Sequence, residues 1–144
     1  MLKAGFIGAG GRGLQAHYPT VHRLADRVEM AAVCELDDER LKQVVGKYGF
    51  ERTYKDHRTM LDEIDPDIVY CVMHEKWLLQ PVLDCIAAGK HLFIEKPTGA
   101  NSDETRQILE AAEKHNVWVA VGLQRRHTAV TREAMRLVNA KGDR

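Results

Sequence analysis

Near the amino terminus, Gly8-Ala9-Gly10-Gly11-Arg12-Gly13 sets glycines at G-x-G-x-x-G spacing. The spacing alone is weak evidence, because glycine-rich turns also arise by chance. Here it follows a strand-like apolar run and opens a helix-like one. Glu35 stands roughly 20 residues further on, at the end of the next apolar run, which completes a dinucleotide-binding pattern. Each position has a physical task. Gly8 permits the tight turn, Gly10 lets the backbone approach a pyrophosphate, and Gly13 lets the helix pack closely on the strand. The unpaired N–H groups of that first helical turn, with Gly11 and Arg12 among them, would stabilise phosphate charge without a basic patch. Arg12 reads equally well as a solvated side chain. A phosphate loop of the ATPase type would end in Gly-Lys-Ser/Thr, and Gly13-Leu14-Gln15 does not.

Glu35 can accept hydrogen bonds from both hydroxyls of an adenosine ribose. Its charge would repel a 2′-phosphate, and Asp37, Asp38 and Glu39 add to the repulsion. The expected cofactor is therefore NAD in preference to NADP, with Arg40 as the counterweight.

The second candidate for chemistry is Glu95-Lys96-Pro97, which follows the run His91 to Ile94. Ligands of open parallel sheets sit beyond the carboxyl ends of the strands, so Glu95 and Lys96 fall on the cofactor side. Hydride transfer at a secondary alcohol needs a group that exchanges the hydroxyl proton. A lysine, ordinarily near pKa ~10.4, would have to be drawn toward neutrality to do so. Partial burial and a positive nicotinamide ring would push Lys96 that way. A lysine paired with Glu95 at the surface is the competing reading. Met73 and His74 end another strand-like run and are expected near the cofactor. Gln124, Arg125 and Arg126 follow the last run and could line the same site or cap the sheet edge.

These residues need elements to hold them. Short apolar runs with little alternation occur at Leu2 to Ile7, Val28 to Cys34, Asp67 to Met73, His91 to Ile94 and Val117 to Val121, with a weaker one at Arg52 to Tyr54. Such runs read as strands covered on both faces. Between them, helical spacing appears at Asp37 to Tyr48, where Leu41, Val44, Val45 and Tyr48 form one stripe before Gly49. It recurs at Trp77 to Ala88, before Gly89, and at Ser102 to His115, where Asn101 or Ser102 can cap. In the last of these, Ile108, Leu109, Ala111 and Ala112 should face a core. A final helix is expected at about Ala129 to Ala140, with Val130, Ala134, Leu137 and Val138 on one side. Pro19 should kink or break the first helix near Gln15 to Tyr18. Strands alternating with helices predict an α/β fold: a doubly wound, mostly parallel Rossmann sheet of about six strands, formed by residues 1–144 as one dinucleotide-binding domain.

Composition narrows the functions. Lys+Arg and Asp+Glu number 21 each, so no net field favours nucleic acid or an anionic membrane. No run of apolar residues is long enough to span a bilayer, and the amino terminus carries no signal-peptide pattern. Cys34, Cys71 and Cys85 lack metal-like spacing and read as buried reduced thiols, consistent with a cytoplasmic setting. No metal site is expected, since His74-Glu75 lacks the second histidine of a zincin helix. His57 and His115 read as solvated, and Trp77 as a packing residue.

Gly8 to Gly13, Ala32-Val33-Cys34-Glu35, Ala88-Gly89-Lys90-His91 leading to Glu95-Lys96-Pro97, and Val121 to Arg126 together resemble the glucose–fructose oxidoreductase / inositol 2-dehydrogenase family over essentially the whole chain. The resemblance implies an NAD- or NADP-dependent oxidoreductase acting on a sugar or polyol, with Lys96 contributing to catalysis and cofactor contact and Pro97 often cis. Where that family has Thr-Pro-Asn-x-x-His, this chain has Met73-His74-Glu75-Lys76-Trp77-Leu78, so the nicotinamide-ribose pocket is altered. The family's second domain, which supplies the substrate pocket and most of the oligomer contacts, is not in these residues. The expected partners are thus a small sugar or polyol, no nucleic acid and no membrane, with a homo-oligomer left open. A non-catalytic NAD(H)-binding module or sensor subunit is the alternative, and a methyltransferase a weaker third.

Overall fold

A computed structural model describes residues 1–141; residues 142–144 of the expected domain lie outside the described residues. Six parallel strands form one sheet: β1 Leu2–Ile7, β2 Val28–Cys34, β3 Thr53–Tyr54, β4 Ile68–Cys71, β5 His91–Ile94 and β6 Val119–Val121. Their spatial order is β3-β2-β1-β4-β5-β6, so the chain reverses direction across the sheet between β1 and β4. The expected doubly wound sheet is present, its strands within two residues of the expected bounds.

Alternation along the strands feeds two cores. Ala4, Phe6 and Val33 turn to one face and meet Tyr18, Val21, Val44 and Phe50. Ile7, Ala32, Cys34, Val69, Cys71, Leu92 and Ile94 turn to the other and meet Met60, Leu61, Val82, Ile86 and Ile108. The first core is aromatic: the Phe6 ring stacks on Tyr18 at 4.8 Å and on Tyr70 at 5.0 Å, with Phe50 edge-on at 5.6 Å. Cys34, Cys71 and Cys85 are buried free thiols in the second core. Burial pushes the Cys34 thiol up to about 11.

The helices follow their capping residues. Helix α2 (Asp38–Tyr48) is capped by the Asp37 carboxylate, which accepts from the amides of Glu39 and Arg40, and ends on left-handed Gly49. Helix α5 (Ser102–His115) is capped by Asn101. Ile108 and Ala112 enter the core, whereas Leu109, expected there, is 57% exposed. Ahead of Pro19 the first helix is distorted without breaking: a π-helical turn at Gly13–His17 runs directly into α1 (Tyr18–His22), with Pro19 in its first turn.

Helix α3 (His57–Ile64) was not among the expected elements. Asp56 caps it through the amides of Arg58 and Thr59, and it buries Met60, Leu61 and Ile64. The expected helix from Trp77 divides into a 3-10 turn at Glu75–Trp77 and α4 (Leu79–Ala87). Helix α6 (Ala129–Lys141) leaves Val130, Leu137 and Val138 exposed.

Candidate functional site

Register brings the site together. Ile7 pairs with both Cys34 and Cys71, Cys71 with Ile94, and Ile94 with Val121, so five strands end level. The next residue of each is tied across the row by its amide: Gly8 to Cys34 O, Glu35 to Tyr54 O, Val72 to Ile7 O, Glu95 to Cys71 O, and Gly122 to Ile94 O. Gly8, Glu35, Val72, Glu95 and Gly122 therefore share one edge of the sheet. A cleft of about 860 Å³ opens over that edge at the point where strand order reverses.

The glycine turn forms one wall. Gly8 has φ +96°, and a Cβ there would lie 2.4 Å from Val72 O, so only glycine fits. Its carbonyl accepts from the Tyr18 hydroxyl at 2.8 Å, whose ionisation burial strongly opposes. A Cβ on Gly13 would lie 2.7 Å from the Tyr18 ring and 3.6 Å from Gly8 O at the strand end, so the tightest contact there is with Tyr18. Gly10 and Gly11 differ: a Cβ on either meets nothing nearer than 4.0 Å on the protein side. Their bareness leaves open the space in which a diphosphate would lie against the turn.

Glu35 stands opposite. Its two carboxylate oxygens accept from the amides of Ala9 at 2.7 Å and Asp37 at 3.0 Å, so one side chain ties the glycine turn to the start of α2. A carboxylate has further lone pairs, and Glu35 still faces the cleft.

Glu95 forms the floor. It is 5% exposed, yet its Oε1 accepts from Arg12 Nε at 2.7 Å and pairs with His17 Nε2 at 2.6 Å, while its Oε2 accepts from the Lys96 amide at 3.2 Å. Burial opposes its charge, but the hydrogen bonds from Arg12 and His17 more than offset this and hold its carboxyl below the ordinary glutamate range. Gly122 makes room for it, since a Cβ there would lie 3.2 Å from the carboxyl carbon. Gln124 reaches back from beyond β6. With its oxygen turned to the guanidinium it accepts from Arg12 Nη2 at 3.2 Å, and its nitrogen donates to Gly122 O.

Lys96 is exposed and lines the cleft beside this floor, just before a cis Lys96–Pro97 bond. Glu95 directs its carboxylate to Arg12 and His17, so the surface pair of Lys96 with Glu95 is not formed, and neither is the partial burial expected for the lysine. Met73 and His74 also line the cleft. His74 Nδ1 accepts from the Lys76 amide at 3.3 Å and so caps the 3-10 turn. That turn swings Trp77 outward to 73% exposure on the cleft wall, which corrects its reading as a packing residue. Arg125 and Arg126 are exposed and do not reach the cleft.

Two participants lay outside the sequence reading. His17 carried no local signal and reaches Glu95 only through the fold. His57, expected in solvent, lies on the cleft wall with Nε2 2.7 Å from Asp84 Oδ2. Its place just after the Asp56 cap would have suggested a fixed position had α3 been recognised. Among the described residues no group of three or more ligating side chains could hold a metal, and no helix is long and apolar enough to cross a membrane.

A family model described as an oxidoreductase family with an NAD-binding Rossmann fold matches residues 2–123. Inositol 2-dehydrogenase 3 of Saccharopolyspora erythraea is 32% identical over 142 residues, covering 98% of this chain and 41% of that protein. The WlbA dehydrogenase of Chromobacterium violaceum, solved in complex with NADH and UDP-GlcNAcA, superposes with a TM-score of 0.91 at 27% identity, covering 97% of this chain and 40% of that one. Scyllo-inositol dehydrogenase of Lactobacillus casei, solved with NAD(H) and scyllo-inositol, gives 0.88 at 26%, covering 97% and 41%. The chain spans roughly two fifths of the length of the relatives it matches.

Proposed function

The chain belongs to the oxidoreductase family with an NAD-binding Rossmann fold, and on that premise we propose that it is the cofactor-holding part of a dehydrogenase acting on a carbinol carbon of a sugar or cyclitol. The observation that carries this reading is the placement of Gly10, Glu35 and Lys96 on one cleft at the reversal point of the sheet.

The residues fit a dinucleotide. The bare backbone at Gly10 and Gly11 would receive the diphosphate, with Arg12 at its edge. Glu35 would accept from the adenosine ribose and disfavour a 2′-phosphate, so NAD is preferred to NADP. Met73, His74, Glu95 and Gln124 would shape the nicotinamide end. When bound, the nicotinamide supplies the hydride acceptor or donor. Lys96 would hold or release the proton of the substrate hydroxyl, a role that typically contributes about 10²–10⁴ in rate. Glu95, turned to Arg12 and His17, fixes the backbone from which Lys96 projects. The relatives' sugar and cyclitol ligands support the substrate class, and their greater length supports a substrate pocket built by residues beyond these 144. Three buried free thiols favour a reducing, cytoplasmic setting.

Titration with NADH, NADPH and S-adenosylmethionine tests the reading. Saturable heat with NADH, weaker with NADPH and absent with S-adenosylmethionine, is the expected result. No heat with either nicotinamide cofactor would refute it.

A further inference from the structure

Beyond Glu35 the cleft runs on toward the outer edge of the sheet. Its far wall comes from three segments: Leu36 after β2, Lys55 and His57 after β3, and Trp77 and Pro81 around the start of α4. The first two are tied together, because Lys55 Nζ donates to Leu36 O at 2.9 Å and pairs with Asp38 at 2.6 Å. His57 is joined to the third through Asp84. Its Nε2 lies 2.7 Å from Asp84 Oδ2, an oxygen that also accepts from Arg58 Nε at 2.9 Å, while Gln80 Nε2 donates to Oδ1 at 2.8 Å. Burial opposes the charge of Asp84, but these donors hold its carboxyl below the ordinary aspartate range. An ionised carboxylate can only accept, so the hydrogen of this contact sits on His57 Nε2. Nδ1 is left. It forms no hydrogen bond among the described residues and is not buried. When the ring is neutral and held this way, Nδ1 is an acceptor, on a side chain that lines the cleft.

The place of that acceptor defines what it would meet. With a ribose at Glu35, the attached base falls among Leu36, His57, Trp77 and Pro81, between apolar surfaces and this single lone pair. A purine whose six-membered ring carries an exocyclic amine presents a donor to Nδ1. A purine with a carbonyl there sets acceptor against acceptor at that position, and its nearest donor, N1–H, is displaced to the neighbouring ring atom and points in a different direction.

We propose that His57, oriented by Asp84, is a specificity-determining residue that selects a 6-aminopurine over a 6-oxopurine dinucleotide, with Trp77 presenting its ring face to the base. The proposal rests on the reading that the cleft holds a dinucleotide, and its test separates the two. The probes are NADH and its hypoxanthine analogue, which differ at the purine 6-position and in the hydrogen that the 6-oxopurine carries on N1, titrated by calorimetry at about pH 8. The protein should bind NADH about fivefold to tenfold more tightly than the analogue, the discrimination of one hydrogen bond. His57→Ala should bring the ratio close to one, and His57→Gln, whose amide oxygen can still accept, should retain part of it. Asp84→Ala, which frees the ring, should lower the ratio while NADH still binds. Equal affinity of the unaltered protein for the two probes, or an unchanged ratio in His57→Ala, overturns the proposal and leaves the dinucleotide reading standing. If the His57–Asp84 pair only joins α3 to α4, thermal stability falls and the ratio does not move, which also overturns it. Failure of the unaltered protein to bind either probe overturns the parent reading and this one with it.

Discussion

Arg12 and Glu95 are joined across the cleft floor by a 2.7 Å hydrogen bond, and His17 meets the same carboxylate oxygen at 2.6 Å. One buried acidic side chain thus links the glycine turn, the first helix and the strand end that carries Lys96. Because its carboxyl is held below the ordinary range, its stabilising effect is full above the unfolded glutamate pKa and is lost as pH falls through the lower, folded value. Glu95→Gln should therefore cost about 1–3 kcal/mol near pH 7. The gap in melting temperature between variant and parent should close on acidification below about pH 4. A gap that stays constant from pH 7 to pH 3 would show that the charge of Glu95 does not stabilise the fold.

Two glycines of the turn should separate stability from binding. Gly8→Ala forces a Cβ against Val72 O in a left-handed backbone and should destabilise the fold by roughly 1–3 kcal/mol or more. Gly10→Ala puts its methyl into the open cleft. Its melting temperature should stay close to that of the parent while NADH affinity drops at least about tenfold. Thermal melts and NADH titrations of both variants check the contrast.

How far the sequence could be read follows from how local each feature is. The glycine turn, Glu35 and the strand His91–Ile94 were legible because their signals lie within a few residues. Helix α3 escaped because Met60, Leu61 and Ile64 give little more than one turn of apolar spacing in a run of polar residues. Trp77 was misread because Leu78 and Leu79 follow it, and nothing local marks the His74-capped turn that rotates it outward. The burial of Glu95 was invisible for a different reason. Its partners stand 83 and 78 residues away in the chain, and only the parallel register brings them together.

Lys96→Ala should leave NADH affinity within a few-fold and remove turnover of a sugar or cyclitol substrate by the full-length enzyme, about 10²–10⁴ in kcat. Steady-state rates beside binding measurements decide it. Retained turnover would take the proton-handling role away from Lys96.

Tyr48 carries a buried hydroxyl with no hydrogen-bond partner among the described residues, while its ring lies 5.5 Å from that of Tyr18. Tyr48→Phe keeps the ring and removes the unpaired group. The variant should be as stable as the parent, or more stable by up to about 1 kcal/mol, in urea denaturation. A clear loss of stability would show that the hydroxyl is satisfied in solution.

The contact between Gly122 and the Glu95 carboxyl makes two distant positions behave as one. A methyl at 122 competes for space the acid already fills, so a change there is tolerated only if the acid is shortened or turned. Anyone redesigning this cleft for another substrate would have to mutate the two positions as a pair, and libraries that randomise one alone would discard sequences the fold accepts.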